Sequence, residues 1–142
     1  GLLRAPYSVE LFKIIGERMD SGVSRLSSAL VKVRVDERTE ITAAEGEGPV
    51  NALDCALRKA LEVFYPAVCG IHLIDYKVRV MEPGRATAAK VRVLIETTDG
   101  AQTWTTVGVS TDIINASFQA LTDSVDYKLY LMSKTENLQL GG

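Results

Sequence analysis

At 142 residues the chain is the size of one ordinary domain, or of two small units sharing a core. It is well short of a (β/α)8 barrel, which needs about 250 residues. Its 46% hydrophobic and 24% charged residues argue for a globular chain and against disorder, and 16 basic against 18 acidic residues, a net charge of -2, point to neither nucleic acid nor a membrane as a partner.

Residues 1–6 read as a linker. From Tyr7 the pattern is strand-like, with Val9, Leu11, Lys13 and Ile15 on one face and Glu10, Phe12 and Ile14 on the other. Both faces are partly apolar, so the strand is expected to be covered on both sides. Residues 20–25 read as a connector, followed by a second strand from Leu30 to Val35 and a tight turn at Asp36-Glu37. The third strand, Thr39–Ala44, leads into Glu45-Gly46-Glu47-Gly48-Pro49. Pro49 suits the first helical position, where its missing N–H would have had no partner anyway. Ala52, Ala56 and Ala60, flanked by Leu53, Leu57 and Leu61, make the apolar side of that helix, and Pro66 sets its end near Phe64 or Tyr65.

The order then recurs. A strand over Ile71–Met81 alternates Leu73, Asp75, Lys77, Arg79 and Met81 with His72, Ile74, Tyr76, Val78 and Val80. Glu82-Pro83-Gly84 signals a turn, Thr87–Thr97 a long strand, Thr98-Asp99-Gly100 a hairpin loop and Gln102–Val109 the return strand. Ser110 or Thr111 is expected to cap a last helix with the stripe Ile114, Phe118, Leu121, Val125 and Leu129. Residues 133–142 are polar, end in two glycines, and read as a flexible tail. The fold class is α+β: two β-β-β-α units in an internal pseudo-two-fold repeat, one about 7–65 and the other about 71–132, with helices packed against antiparallel sheets. Four pairs of segments support the repeat. Lys32-Val33-Arg34-Val35 recurs as Lys90-Val91-Arg92-Val93, Asn51-Ala52 as Asn115-Ala116, Ala56-Leu57 as Ala120-Leu121, and Gly46 as Gly108.

Catalytic chemistry is hard to find. His72 is the only histidine and nothing orders a triad around it. Cys55 and Cys69, both in apolar contexts, read as buried thiols of a reducing, cytoplasmic compartment. No His, Cys or carboxylate cluster has metal-ligand spacing. Asp123 and Asp126 read as a solvated rim near Lys128. Gly46-Glu47-Gly48-Pro49 is more informative, because it brings exposed backbone N–H groups to a helix N-terminus, which accepts a carboxylate. Gly108-Val109-Ser110-Thr111 stands in the same place before the second helix. From the residues alone, two tight strand-to-helix turns without a ligand are the simpler explanation. Trp104, without basic companions, reads as a packing residue.

Together these segments resemble the C-terminal regulatory domain of the 2-isopropylmalate synthase and citramalate synthase family. The resemblance runs through residues 31–35, 45–52, 73–80, 87–96, 104–110, 113–117 and 120–124, and covers the chain from about Tyr7 to Leu131. The Trp104 segment and Asp123-Ser124-Val125-Asp126-Tyr127-Lys128-Leu129 look most like the citramalate branch. The resemblance implies a regulatory and dimerisation domain, with no cofactor and no catalysis of its own, whose catalytic barrel lies upstream of Gly1. It implies a homodimer that binds a branched-chain amino acid, isoleucine favoured and leucine the alternative, as end-product inhibitor. Carried over position by position, the effector would be met by Gly46, Gly48, Pro49, Val50 and Ala52 at the first turn, by Leu73, Tyr76 and Val80 on the next strand, and by Thr87, Ala88 and Ala89 after it. Backbone carbonyls or Asp75 would accept from its ammonium group. An enzyme built on His72 and Asp75, or a structural dimerisation module without ligand, are the competing readings.

Overall fold

The alternating segments pair locally, each strand with the next, because short connections make sequential antiparallel pairing the least costly way to satisfy the backbone. A computed structural model of the chain describes residues 7–20, 24–81 and 89–141, with side chains over 7–16, 26–81 and 89–134. The first meander is β1 (Ser8–Asp20), β2 (Ser24–Val35) and β3 (Arg38–Gly46), followed by helix α1 (Pro49–Glu62) and a 3-10 turn over Pro66–Gly70. The second is β4 (His72–Val80), β5 (Val91–Thr98) and β6 (Thr103–Ser110), followed by helix α2 (Ile113–Gly141). The chain divides into two compact units between Cys69 and Gly70, and each is a β-β-β-α unit of an α+β fold.

In the first unit, Ser27, Ala29, Val31 and Val33 of β2 are buried, as are Ala52, Leu53, Ala56, Leu57, Ala60 and Leu61 of α1. Burying each leucine of this stripe is worth about 1.5–3 kcal/mol. The connector is shorter than residues 20–25, since β1 reaches Asp20 and β2 begins at Ser24, six residues before Leu30. The Ser24–Ala29 stretch has Leu26 as its one large apolar side chain and three serines, so it carries little strand signal, yet its backbone pairs with β1 and, from Ser27, with β3. Simple alternation also fails along β1. A bulge between Val9 and Leu11 lets Val9 face Val33 and Phe12 face Val31, so Val9 and Phe12 share the helix side. Leu11 and Ile15 remain 41% and 53% exposed, so the second face of this strand is not covered within its unit.

In the second unit, Val93, Ile95 and Thr97 of β5 and Trp104 of β6 meet the α2 stripe of Phe118, Leu121, Val125 and Leu129. A small polar cluster is built into this core. The Trp104 indole N–H donates to the Ser124 carbonyl (3.1 Å) and hydroxyl (3.2 Å), and the Ser124 hydroxyl lies 2.6 Å from that of Thr97. Thr106 donates to the Ala120 carbonyl at 2.7 Å. Buried polar groups partnered in this way fix how the helix seats on the sheet. Helix α2 starts one residue beyond the expected caps. Asp112 accepts from the Ile114 N–H at 2.8 Å, while the Ser110 hydroxyl accepts from the Asp112 N–H and the Asn115 amide, both at 3.2 Å. It then continues to Gly141 instead of ending before a tail at 133–142, because no proline or glycine interrupts residues 113–140 and each added residue gains a backbone bond.

The repeat is real at the level of the fold, but one of its four supporting matches is not structurally equivalent. Val33 and Val35 pair with Glu40 and Arg38, beside the tight turn, whereas Val91 and Val93 pair with Ser110 and Gly108, at the far end of their hairpin. The two Lys-Val-Arg-Val segments share strand composition, not position. Gly46 and Gly108 do correspond, each lying against the first turns of the helix that follows.

The β5–β6 loop is closed by Asp99. Its carboxylate accepts from the N–H groups of Gln102 (2.7 Å) and Ala101 (2.8 Å) and from the Lys128 ammonium (2.9 Å), so Lys128 serves this loop instead of the Asp123–Asp126 rim. The Gln102 amide first, then Lys128 and the Ala101 amide, hold the Asp99 carboxyl well below the usual range. A carboxyl depressed on folding stabilises the fold above its unfolded pKa of about 3.9, and that contribution is lost as pH falls below this value. Asp99→Asn, titrated by denaturant at pH 7 and near pH 3, is expected to be less stable than the parent at pH 7 and to lose less stability on acidification. Equal losses in both proteins would contradict this role.

Candidate functional site

The N-terminus of α1 is built from residues that leave it open. Gly48 occupies the cap position and makes no side-chain cap, Pro49 follows at the first helical position, and the first turn holds no acidic side chain. The Ala52 N–H is engaged by the Gly48 carbonyl at 2.9 Å. The Asn51 side-chain oxygen turns back to accept from the Glu47 N–H at 3.3 Å. Gly46 is needed for close approach, since a Cβ there would lie 2.6 Å from the Ala52 nitrogen, while a Cβ at Gly48 would meet nothing within 4 Å. The two glycine turns are therefore not equivalent. At α2 the place an anion would take is filled by the chain's own Asp112 carboxylate. At α1 no carboxylate fills it.

The residues of this turn divide by burial. Pro49 and Val50 are half-buried, Gly46 and Gly48 are partly accessible, and Ala52 is fully buried in its own unit. On β4, alternation places Leu73 and Tyr76 on opposite faces. A bulge between Leu73 and Asp75 reunites them: Leu73 pairs with Thr97, Tyr76 with Ile95 and Val80 with Val91, all along the helix side of the sheet. The bulge is held by the Asp75 carboxylate, which accepts from the Tyr76 N–H at 2.9 Å. Tyr76 reaches α2, its hydroxyl 3.0 Å from that of Ser117, a residue that sequence reading did not single out. Val80 is 69% exposed at the end of this face. Ala89 is exposed just before β5, while Thr87, Ala88 and the Glu82-Pro83-Gly84 turn lie outside the described residues.

Other candidates fall away from this face. Asp75 is in register with Glu96 on the opposite side of the sheet and pairs with Lys77 at 3.6 Å, so it does not stand with Leu73, Tyr76 and Val80. His72 is exposed. Cys69 is exposed and Cys55 only half-buried, against the expectation of two buried thiols. The 3-10 turn around Cys69 buries Val68 instead. Among the described residues no three His, Cys, Asp or Glu side chains are grouped to hold a metal ion, and no helix is long and apolar enough to cross a membrane.

Two open β-β-β-α units with these glycine turns match a known family model, the LeuA allosteric (dimerisation) domain, over residues 4–129. The chain belongs to that family. It is 52% identical over 136 residues to an (R)-citramalate synthase of Geobacter sulfurreducens, covering 96% of this chain and 26% of that protein. It is 48% identical to the (R)-citramalate synthase of Aquifex aeolicus, covering 91% of this chain and 24% of that protein. A 2-isopropylmalate synthase of Aquifex aeolicus is 32% identical over 89% of this chain and 24% of its own length. This LeuA-type domain therefore stands nearer the citramalate branch, and it spans about a quarter of the length of the curated relatives it matches.

Proposed function

We propose that this domain binds a branched-chain amino acid, isoleucine before leucine, and forms a homodimer, conferring end-product inhibition on a citramalate synthase that condenses acetyl-CoA with pyruvate. The observation that carries the reading is the extended identity with (R)-citramalate synthases over nearly the whole chain. The open N-terminus of α1 supports it, because backbone N–H groups and the helix dipole there suit the effector's carboxylate. Gly46, Gly48, Pro49, Val50 and Ala52 form the turn assigned to that carboxylate. Leu73, Tyr76 and Val80, with Thr87, Ala88 and Ala89, are assigned to the branched side chain. Leu73 and Val80 offer the apolar surface such a side chain needs, on the face where Tyr76 is pinned to Ser117. Catalysis belongs, in this reading, to another part of the full-length enzyme.

Calorimetric titration with isoleucine, leucine and valine tests it directly. Saturable micromolar binding of isoleucine is the expected result. Preference for leucine would move the domain to the 2-isopropylmalate branch, an alternative kept open by the 32% identity with such an enzyme. Binding of none of the three, with a dimer intact by light scattering, would leave a structural dimerisation module. Turnover of acetyl-CoA and a 2-oxo acid by this chain alone would overturn the regulatory reading.

Gly48→Asp is the sharper variant. The open space around Gly48 admits the side chain without clash. Aspartate is a better helix cap than glycine by a few tenths of a kcal/mol, so stability should hold or rise by roughly that amount. Its carboxylate would occupy the position proposed for the effector's, and isoleucine affinity should fall by about tenfold or more through like-charge repulsion. Unchanged affinity in a folded variant would place the carboxylate elsewhere.

A further inference from the structure

The face of the β4–β5–β6 sheet turned away from α2 carries charges that the effector reading does not use. Lys77 and Arg79 of β4 and Arg92 and Leu94 of β5 line a groove of about 450 Å3 there. Arg79 and Arg92 are directly opposite each other in the antiparallel register. Like charges directly opposite each other destabilise a sheet. Neither arginine has an ion-pair partner among the described residues. Lys77, 72% exposed at its side chain, has only the 3.6 Å contact with Asp75, and such a surface pair holds it weakly.

The first unit treats the same problem differently. On the corresponding face of its sheet, Lys32 and Arg34 are met by Glu10 from the neighbouring strand at 3.4 and 3.9 Å. Among the described residues of the second unit, no carboxylate meets Arg79 or Arg92 in this way. Its neighbouring positions on β6 are Val107, in register with Leu94, and Val109, in register with Arg92, and they are 36% and 39% exposed. The result is a cationic groove beside an apolar strip, with two guanidinium groups whose fork geometry suits bidentate oxyanions.

We propose that this face is an anion site that takes a small polyanion, a phosphate ester or polycarboxylate, through Lys77, Arg79 and Arg92. Size favours a small molecule over a macromolecule, since the groove lies within the range of ligand pockets. Asp75 and Glu96, paired in the next row of the same face, close the cationic surface at one end and would repel an extended polyanion such as nucleic acid. The site is separate from the effector face: Lys77 and Arg79 alternate with Tyr76, Val78 and Val80, so the two ligands would stand on opposite sides of β4.

Calorimetry of the chain with inorganic pyrophosphate and with citrate, in buffer of ~10 mM ionic strength and again at ~150 mM, where the Debye length shrinks from about 30 to about 8 Å, tests the proposal. Saturable one-to-one binding of at least one probe, weaker at the higher salt, is expected, and the stronger of the two tells phosphate from carboxylate chemistry. The double variant Arg79→Gln/Arg92→Gln should bind roughly tenfold more weakly or worse, as removal of charge-assisted hydrogen bonds requires. It should melt no lower than the parent without ligand, because the repulsion is relieved. Lys13→Gln/Lys32→Gln, which removes the same charge from the first sheet, should bind as the parent does. Amide shifts of the unmodified chain on adding the tighter probe should centre on residues 77–79 and 92–94. No saturable binding of either probe, equal loss in both double variants, or shifts centred elsewhere would overturn the site.

Discussion

Replacing Gly108 by alanine is expected to destabilise the domain by on the order of 3 kcal/mol, at the upper end of the range for overpacking a close contact. A Cβ at this position runs into the Ala116 carbonyl oxygen and lies 2.8 Å from the Ala116 carbonyl carbon. Both atoms are backbone in the first turn of α2, so no side-chain rotation relieves the clash. The helix must lift from the sheet, and the seating of Phe118 and Leu121 lifts with it. Urea denaturation followed by far-UV circular dichroism gives the change. Gly46→Ala should also be costly, with Ala52 and Asn51 backbone atoms at 2.6 and 2.8 Å, whereas Gly48→Ala, with open space around it, should cost little. A loss at Gly108 no larger than at Gly48 would show that the strand and helix are not in the contact described.

Trp104→Ala is expected to cost roughly 3–5 kcal/mol, the range for emptying a large aromatic from a core. Trp104 is 8% exposed, and its ring centroid is 5.4 Å from that of Tyr127. Trp104→Phe separates packing from hydrogen bonding. It keeps most of the apolar volume but removes the N–H that donates to Ser124, and should cost about 1 kcal/mol from that bond alone, plus the smaller ring. Dichroism is again the readout, because Trp104 is the only tryptophan and fluorescence disappears with it. If the phenylalanine variant is as unstable as the alanine one, the polar cluster with Ser124 and Thr97 outweighs the packing.

Much of the architecture was legible from local chemistry. Pro49 begins α1, the Ala and Leu stripe is its buried side, and Ile114 through Leu129 gave the core side of α2. These signals survive because a helix or strand that must bury one face has to repeat its apolar residues at its own period. The misreadings of strand faces share one cause. Bulges at Val9/Leu11 and Leu73/Asp75 insert a residue without changing composition, so alternation assigned Leu11 and Leu73 to the wrong companions. The equivalence of the two Lys-Val-Arg-Val segments failed for a related reason, since strand composition carries no information on which partner a strand has.

The candidate site shows the same division. The glycine turn was visible in the sequence because few residues other than glycine permit a close backbone approach, and the resemblance supplied Leu73, Tyr76 and Val80. What the sequence alone could not do was tell the two helix N-termini apart. Asp112 and Ser110 are ordinary polar residues until the backbone turns them onto the Ile114 N–H and the Asn115 amide. The hydrogen bond between Tyr76 and Ser117 joins residues 41 apart in the chain, and the facing of Arg79 by Arg92 depends on a strand register that only the folded sheet has.

By itself, then, the amino-acid sequence determined the element types, the doubled β-β-β-α order and the turn at Gly46 and Gly48, which follow from periodicity and from the conformational demands of single residues, while the family was carried by the resemblance of whole motifs in their order. Tertiary structure decided the strand registers, the filled and open helix ends, the polar core around Ser124 and the unmatched arginines. Each of these is a relation between distant residues, set by which backbone groups are left to pair once the strands have closed.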